Sequence, residues 1–331
     1  MTTVLFTCAG MRVDVVTAFQ HSGATAIAAD ADPLAPSLYH ADDHALVPRV
    51  DDPAYIPALA ELVRTHDVGL VVPLTDIDSV LLARRRDELG APLLLPDTDI
   101  VVKTADKYEA HRLFVERGIA SPPSWLNDEV PDDARYPLLV KSRHGYGSRN
   151  IYRAEDRRQL DFFLEYSPVE SFVQVCCLGE EFSIDVLCDF EGRCLNAIPR
   201  TMILSKGGES IQGMTIKDPQ LIEAARLVAE SLPLQGPATI QVFPEGGEYR
   251  VTDVNPRFGG AFPLPLAAGS SYPELILSMV AGERPEPRLG EFREGVVMTR
   301  FYSHLSLKPG AGGSFEPLAE EVPEPIAGDS A

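Results

Sequence analysis

The sequence predicts two fold classes in one chain, an α/β region with a parallel sheet followed by an α+β region with antiparallel sheets. In the first hundred residues, apolar strand-like runs alternate with segments of helical period, which indicates βαβ units. From residue 171 onward, predicted strands follow one another with few helices between them. The length of 331 residues exceeds what one compact core holds, so we expect two or three lobes.

The N-terminal region contains the alternating elements. Its first run, residues 4–8, is apolar and predicts a buried strand. Further strands are predicted over residues 24–29, 44–48, 68–72 and 92–95, and helices over residues 12–20, 53–66 and 76–89. Only Gly10 matches the G-x-G-x-x-G pattern that a dinucleotide site would place after the first strand. This disfavours a dinucleotide fold, although an NAD-dependent enzyme remains an alternative.

The chain changes character near residue 97. A helix is predicted over residues 106–117, with Asp106 as N-cap, Glu109 three residues later and Gly118 at its end. The remaining predicted strands cover residues 136–141, 150–153, 172–177, 181–189, 193–199, 239–244 and 249–254, and the helices 155–166, 219–231 and 272–281. We therefore divide the chain into regions 1–97, 98–175, 176–307 and 308–331. The last, rich in Pro, Gly, Glu and Ala, is predicted to be a flexible tail.

Composition and charge restrict the classes of partner. The contents of 45% hydrophobic and 24% charged residues are those of an ordinary soluble globular protein. The net charge of −20 argues against nucleic-acid and membrane-surface partners, while local Lys and Arg residues can still bind anionic ligands. The five cysteines have neither zinc-site nor disulfide-framework spacing, and we expect a cytoplasmic protein because no leader or membrane span is evident.

The hairpin over residues 239–255 carries the clearest chemical signal. Asp253 and Asn255 share one face of its second strand by the period of two, and Gln241 on the first strand can join them by cross-strand pairing. Oxygen donors of this kind suit Mg²⁺, which substrate phosphates commonly help to ligate. Arg257 follows in position to bind a phosphoryl oxygen. The alternative is the polar face of a surface hairpin that ends in an Asn-Pro turn.

This segment resembles the ATP-grasp superfamily, in particular each synthetase half of the carbamoyl phosphate synthase large subunit. In that family a Gln or Glu on one strand and a Glu-x-Asn-x-Arg run on the next hold two magnesium ions against ATP. Gln241 matches the first position, and Asp253, Asn255 and Arg257 match the second set. Asp253 is one methylene group shorter than the usual Glu, which shortens its reach between two metals.

Two upstream lysines match phosphate-binding positions of the family. Lys107 begins a predicted helix, and Lys141 ends an apolar strand before a loop that contains Gly145, Gly147 and Ser148. The resemblance implies that both lysines contact phosphates and that loop amides cover the others. The alternatives are a solvated first-turn lysine and a hairpin lysine that reaches solvent. The loop has fewer glycines than is usual in the family.

The run over residues 172–186 resembles the adenine hinge and ribose site of the family. The resemblance implies that backbone groups at Val175, Cys176 and Cys177 contact the adenine edge and that Glu181 accepts hydrogen bonds from the ribose. Gln174 lies where the family often has Glu.

Four further charged residues have two interpretations each. The resemblance implies that Arg200 and Lys206 approach the acceptor and the γ-phosphate, so Arg200 is predicted to be catalytic together with Arg257. Either could equally be a solvated charge near a loop. Asp76 and Asp78, beyond the fourth strand, either face the acceptor cleft or, as the favoured interpretation, are acids stabilised at a helix N-terminus.

The resemblance covers residues 2–305 and implies an ATP-grasp fold, with a Rossmann-like pre-ATP-grasp domain (1–97), a small lobe (98–175) and a C-terminal lobe that carries the metal site (176–307). It implies a carboxylate–amine ligase that uses ATP and Mg²⁺, or Mn²⁺ in its place. A small-molecule carboxylate would become an acyl phosphate that an amine attacks. The alternatives are a carbamoyl phosphate synthase-like subunit and a nucleotide-binding protein of the same fold that has lost turnover. A homodimer is the default expectation.

Overall fold

The computed structural model describes residues 1–145, 150–206, 209–301, 303–310 and 315–318, with the backbone alone at positions 206 and 209. Three sheets organise this part of the chain, one parallel and two antiparallel, and a two-stranded ribbon follows them. The parallel sheet comes first in sequence, as predicted.

The N-terminal sheet has the strand order β3-β2-β1-β4, and every pairing in it is parallel. Its strands are β1 (Thr3–Thr7), β2 (Thr25–Asp30), β3 (Asp43–Leu46) and β4 (Leu70–Pro73). Its α-helices are α1 (Val13–His21), α2 (Tyr55–Thr65) and α3 (Asp76–Arg84), with 3-10 helices at Pro36–Tyr39 and Arg86–Glu88. The central strand β1 is apolar because both of its faces are covered.

Two predicted elements of this region were too long. The helix predicted over residues 76–89 ends at Arg84, and a 3-10 turn replaces its last part. The strand predicted over residues 92–95 is a single parallel bridge between Val71 and Leu93. Leu95 N–H instead donates to Leu93 O, which turns the backbone out of the sheet immediately before Pro96.

Helices α4 (Thr98–Thr104) and α5 (Lys107–Glu116) connect this domain to the next. Helix α4 was not predicted because β-branched residues, which have low helix propensity, fill it. Burial of Ile100 and Val101 stabilises it nevertheless. The predicted N-cap of α5 is confirmed, since the Asp106 carboxylate accepts from the amides of Tyr108 and Glu109.

The small lobe is an antiparallel sheet of order β5-β8-β6-β7 with one helix on it. Its elements are β5 (Ser124–Trp125), β6 (Leu138–Ser142), β7 (Ile151–Ala154), α6 (Arg157–Tyr166) and β8 (Ser171–Val175). Leu138, Val140 and Val173 form its core together with Leu160 of the helix.

The largest sheet has the order β13-β12-β9-β10-β11-β14 and is antiparallel throughout. Its strands are β9 (Phe182–Cys188), β10 (Cys194–Lys206), β11 (Glu209–Thr215), β12 (Gly236–Glu245), β13 (Glu248–Asn255) and β14 (Val297–Thr299); the helices beside it are α7 (Pro219–Ser231), α8 (Pro263–Ala267) and α9 (Tyr272–Val280). Strand β11 was not predicted, because Gly213 interrupts its pattern. A Cβ there would lie 2.8 Å from Thr201 O, so the close strand approach requires glycine.

The loop after β13 packs against the N-terminal domain. The Phe19 ring of α1 meets the Phe258 ring edge-on, with 6.0 Å between centroids, and Phe258 meets Phe262 at 4.7 Å. Arg12 donates to the carbonyls of Phe258 and Gly259. These contacts fix the loop that follows the predicted metal residues.

The region predicted to be a flexible tail contains regular structure in its described part. Strands β15 (Leu307–Pro309) and β16 (Phe315–Pro317) pair antiparallel, so this much of the region is not an irregular segment. Residues 319–331 lie outside the described part of the chain. Across the described residues, no helix is both long and apolar enough to span a bilayer.

Candidate functional site

A cavity of about 440 Å³ lies between the small-lobe sheet and the largest sheet. Most of the predicted site residues line it, namely Lys107, Lys141, Gly145, Gln174, Val175, Cys176, Cys177, Glu181, Gln241, Asp253, Asn255 and Arg257. Arg200 is not among the lining residues. Gly147 and Ser148 fall outside the described residues, as does the side chain of Lys206.

The cavity also has lining residues that the sequence did not single out. Leu139, Ile151, Val169 and Phe243 give it apolar surface, and Ser142, His144, Asn150 and Thr252 add polar groups. The period of two could have identified two of the apolar residues, since Leu139 shares a strand face with Lys141 and Phe243 follows Gln241 by two. An apolar wall beside a few polar groups is the usual composition of a small-molecule site.

The predicted pairing of the metal residues is present in strands β12 and β13. Gln241 lies directly opposite Asp253, and Thr239 lies opposite Asn255, with a bulge after Gln241. Ser183 of β9 pairs with Gln241 and Arg200 of β10 pairs with Ser183, so one row of side chains crosses four strands. Paired residues of antiparallel strands point to the same face, which places Arg200 on the face that carries Asp253.

Asp253 is the most constrained group of the row. Its side chain is 15% exposed, its Oδ2 lies 3.5 Å from Lys107 Nζ, and it accepts a hydrogen bond from Asn255 Nδ2 at 3.3 Å. Burial acts to raise the pKa of Asp253, but the charges of Lys107 and Lys141 outweigh it, and the pKa lies below its ordinary value. Oδ1 is buried and has no hydrogen-bond partner among the described residues. A cation would satisfy this oxygen.

Lys107 is directed into the cavity by the start of α5. Its amide donates to Arg143 O at 2.9 Å, and its Nζ donates to Gly145 O at 3.3 Å as well as approaching Asp253. Arg143 in turn pairs with the N-cap Asp106. The lysine side chain is 20% exposed, so it is not the solvated first-turn residue of the alternative interpretation.

Lys141 is buried near the end of β6 and lines the same cavity. Its Nζ donates to Gln174 Oε1 at 3.1 Å and lies 5.9 Å from the centre of the Phe172 ring. Burial lowers the pKa of Lys141, an effect that Asp253 opposes. Its ammonium is therefore not the solvent-reaching group that a hairpin lysine would have.

The predicted hinge has part of its backbone already engaged. Val175 N–H donates to Pro123 O at 2.9 Å, and Cys176 N–H donates to Pro137 O at 3.0 Å. Within the described residues, Cys177 N–H is the one amide of the three that donates to no backbone carbonyl. Glu181 contacts the predicted metal ligand Gln241, because its carboxylate accepts a hydrogen bond from Gln241 Nε2. Burial raises the pKa of Glu181 despite that hydrogen bond.

Arg200 lies in a buried hydrogen-bond network and does not line the cavity. Its Nε donates to Asp185 Oδ2 at 2.8 Å, and Thr239 Oγ1 donates to Asp185 Oδ1 at 2.9 Å. Arg200 Nη1 is buried with no hydrogen-bond partner in the described part of the chain. Arg200 is therefore not the solvated charge of the alternative interpretation; its predicted catalytic role stays a prediction.

The two acids of α3 have different surroundings. Asp76 Oδ2 lies 3.1 Å from Arg257 Nη2, which brings it to the edge of the cavity. Asp78 is fully buried and accepts from Tyr55 Oη at 2.7 Å, and burial raises its pKa. The residue that caps α3 is Thr75, whose hydroxyl accepts from Ile77 N–H. Asp78 thus does not face the cleft.

The arrangement suits a phosphorylated ligand and one hard cation. Two lysines and Asp253 line the cavity, and Asp253 Oδ1 is available to an ion. No group of three or more His, Cys, Asp or Glu side chains able to hold a metal is found among the residues that the structure describes. A cation at Asp253 Oδ1 would take amide oxygens and phosphates as further ligands.

Comparisons with known proteins identify two family models. Residues 4–93 match the model described as PylC-like, N-terminal domain, and residues 170–302 match the model described as ATP-grasp in the biosynthetic pathway with Ter operon. The two matches fall on the N-terminal parallel sheet and on the largest sheet.

Carbamoyl phosphate synthase large chains are similar to part of the chain. The N-terminal section from Methanopyrus kandleri is 31% identical over 146 residues, which is 39% of this chain and 26% of that protein. The C-terminal section from the same organism is 28% identical over 228 residues, which is 60% of this chain and 41% of that protein. The chain thus spans less than half the length of either relative.

Solved structures share the fold at low identity. Biotin carboxylase from Campylobacter jejuni, in complex with β-γ-ATP, superposes with a TM-score of 0.73 at 14% identity, over 89% of this chain and 74% of that one. An L-amino acid ligase from Bacillus licheniformis gives 0.68 at 18% identity, over 89% and 78%. The predicted ATP-grasp fold and the resemblance to carbamoyl phosphate synthase are confirmed.

Proposed function

We propose that this chain, which has the ATP-grasp fold, is an ATP- and magnesium-dependent ligase that activates a small-molecule carboxylate as an acyl phosphate and joins it to an amine. The observation that carries the proposal is the meeting of Lys107, Lys141 and Asp253 at one cavity. Cationic groups for nucleotide phosphates thus lie beside a carboxylate for a metal, which is the arrangement that phosphoryl transfer uses.

Apolar lining residues support a place for adenine. Leu139, which pairs with Gln174 at the hinge, and Phe243 line the cavity together with Cys177, whose N–H donates to no backbone carbonyl of the described chain. A base needs apolar contact on its faces and a few polar groups at its edge. The lysines would then contact phosphates further along the same cavity.

The residues around Asp253 fit a magnesium ion. Asp253 would hold it through Oδ1, with Asn255 and Gln241 beside it on the same strand face. Bound Mg²⁺ would offset the negative charge of the phosphoryl oxygens. Lys107, which lies 3.5 Å from the other oxygen of Asp253, orients that carboxylate and brings a further positive charge to the phosphates.

Arg257 would bind the phosphoryl group that is transferred. It lines the cavity from the loop that follows β13, and its guanidinium can form two parallel hydrogen bonds with an anion. In the proposed reaction a substrate carboxylate oxygen attacks the γ-phosphorus and ADP leaves; the amine nitrogen then attacks the acyl carbon and inorganic phosphate leaves. The names of the matched ligase and synthase proteins support this reaction class.

The test is a search for product formation. The chain is incubated with ATP, Mg²⁺ and pools of carboxylates and amines, while ADP release is followed and new masses are sought by mass spectrometry. We expect one pair to stimulate ADP release and to yield a product with the summed mass of both substrates minus water. The Asp253→Asn protein should yield none. Tight ATP binding with no stimulated ADP release in any combination would instead support a nucleotide-binding protein that has lost turnover.

A further inference from the structure

A line of buried polar side chains runs from the cavity into the small lobe. Lys141 Nζ donates to Gln174 Oε1 at 3.1 Å, and Gln174 Nε2 donates to Ser124 Oγ at 3.0 Å. Ser124 Oγ donates to the carbonyl of Pro122 at 2.9 Å. Gln174 is 2% exposed, and both ends of its amide are engaged within the protein. Its side chain is therefore committed to Lys141 rather than to a base.

Lys141 is a buried cation that forms no ion pair with any side chain that the structure describes. The charged and titratable groups that face it come from the elements around the cavity, namely Asp253 of β13, Lys107 of α5, Glu181 before β9 and Cys177 after β8. Gln174 and Phe172, on the neighbouring strand β8, contribute an amide oxygen and a ring. Burial lowers the pKa of Lys141; Asp253 and Glu181 oppose this effect, and Lys107 adds to it.

We propose that Gln174 is a positioning residue that holds Lys141 in the cavity without neutralising it, so that a bound phosphate balances the charge. This inference rests on the proposed nucleotide function. A neutral amide fixes the direction of the ammonium group through one hydrogen bond and leaves its charge intact. A glutamate at the same place would form a buried ion pair with which a phosphate would have to compete. Phosphate binding also relieves the cost of an unpaired buried charge, which strengthens the binding.

The same arrangement links nucleotide binding to the protonation of Lys141. Neutral Lys141 becomes populated as the pH rises through its lowered pKa, whereas a phosphate favours the charged form. Nucleotide affinity should therefore fall with rising pH in the wild-type protein. In Gln174→Glu the new carboxylate raises the pKa of Lys141, so the fall should occur at higher pH.

The test measures the Kd of ADP–Mg by calorimetry from neutral pH to about pH 9.5, which approaches the ordinary lysine range. Gln174→Glu should weaken binding at neutral pH by about tenfold or more, because the phosphate must replace a charged partner. Gln174→Met loses the hydrogen bond and keeps the lysine charge, so it should weaken binding less. Gln220→Glu, which adds the same charge at an exposed site on α7, should bind as the wild-type protein does.

The outcomes separate this inference from the proposed function. Two outcomes would overturn only the proposed role of the neutral amide and leave the proposed function standing. One is that Gln174→Glu binds ADP–Mg with wild-type affinity and an unchanged pH profile. The other is that Gln174→Glu and Gln174→Met lose affinity equally. A wild-type protein that binds neither ADP nor a non-hydrolysable ATP analogue would overturn both proposals. Thermal melting without nucleotide checks that each variant folds. If Gln174→Glu does not fold, the wild-type protein is titrated in two buffers of different ionisation enthalpy. The proposal requires that nucleotide binding takes up protons at alkaline pH, and the absence of that uptake would overturn it.

Discussion

Arg257 Nη2 lies 3.1 Å from Asp76 Oδ2, and this ion pair joins the loop after β13 to the first turn of α3 in the N-terminal domain. Arg257 also lines the cavity. The guanidinium that we propose to bind the transferred phosphoryl group thus has a carboxylate of another domain as its partner. Because the two anions compete for one cation, the γ-phosphate must displace Asp76 or share Arg257 with it.

Asp76→Asn should strengthen the binding of a non-hydrolysable ATP analogue. Removal of the competing charge frees Arg257 for the γ-phosphate, and since a partly exposed ion pair is weak, the gain should be about two- to fivefold. ADP has no γ-phosphate and should bind as before. Titration calorimetry of both nucleotides checks this. Asp99→Asn, which removes the i,i+4 partner of Lys103 outside the cavity, is the matched control. An equal gain for ADP, or no gain for the analogue, would contradict the proposed role of Arg257.

Lys141→Met should lower substrate-stimulated ADP release by about a hundredfold or more, since it removes an electrostatic group from the transferring phosphates. Methionine preserves the apolar stem of a side chain that is buried, so the fold should persist. Steady-state rates and circular dichroism measure the two effects. Lys103→Met, on helix α4 and not among the residues that line the cavity, should turn over normally. Normal turnover by Lys141→Met would contradict the proposed role of Lys141 in phosphoryl transfer.

Local periodicity was sufficient to predict the pairing of Gln241 with Asp253 and insufficient to predict which residues surround that pair. Gln241 and Asp253 were predicted to pair because a short turn joins their strands and fixes a period-two pattern. The contact of Arg257 with Asp76 spans 181 positions and depends on how the domains pack, which no local pattern encodes. Gln174 was placed in the predicted nucleotide-binding hinge from its position in the strand. Its engagement with Lys141 and Ser124 required the strand order β5-β8-β6.

Gly259→Ala should destabilise the protein while Gly260→Ala should not. A Cβ at Gly259 would lie 2.4 Å from Thr239 Oγ1 and 2.5 Å from Asp185 Oδ1, two atoms that hydrogen-bond each other in the network of Arg200. Overpacking of this kind costs about 1–3 kcal/mol. A Cβ at Gly260 meets no atom within 4 Å, so that variant should stay within about 0.5 kcal/mol of the wild-type protein. Urea denaturation compares them, and equal stabilities would refute the steric argument.

Asp78→Asn should stabilise the N-terminal domain increasingly as the pH rises. Burial raises the pKa of Asp78 above its unfolded value, although the hydroxyl of Tyr55 donates to it at 2.7 Å. For an acid with a raised folded pKa, the stabilising contribution is complete below the unfolded pKa, about 4, and is lost as the pH rises through the folded pKa. Asparagine does not titrate and can still accept from Tyr55 through its amide oxygen.

The stability difference between Asp78→Asn and the wild-type protein should therefore be smallest near pH 4 and should grow towards neutral pH, as urea denaturation at several pH values can measure. Asp87→Asn is the matched control, since Asp87 is exposed in the same domain. That variant should show no such growth. A difference for Asp78→Asn that stayed constant or shrank with rising pH would mean that Asp78 is ionised at little cost. The carboxylate would then have to be stabilised by groups other than Tyr55, because one neutral hydroxyl cannot replace the lost hydration of a buried charge.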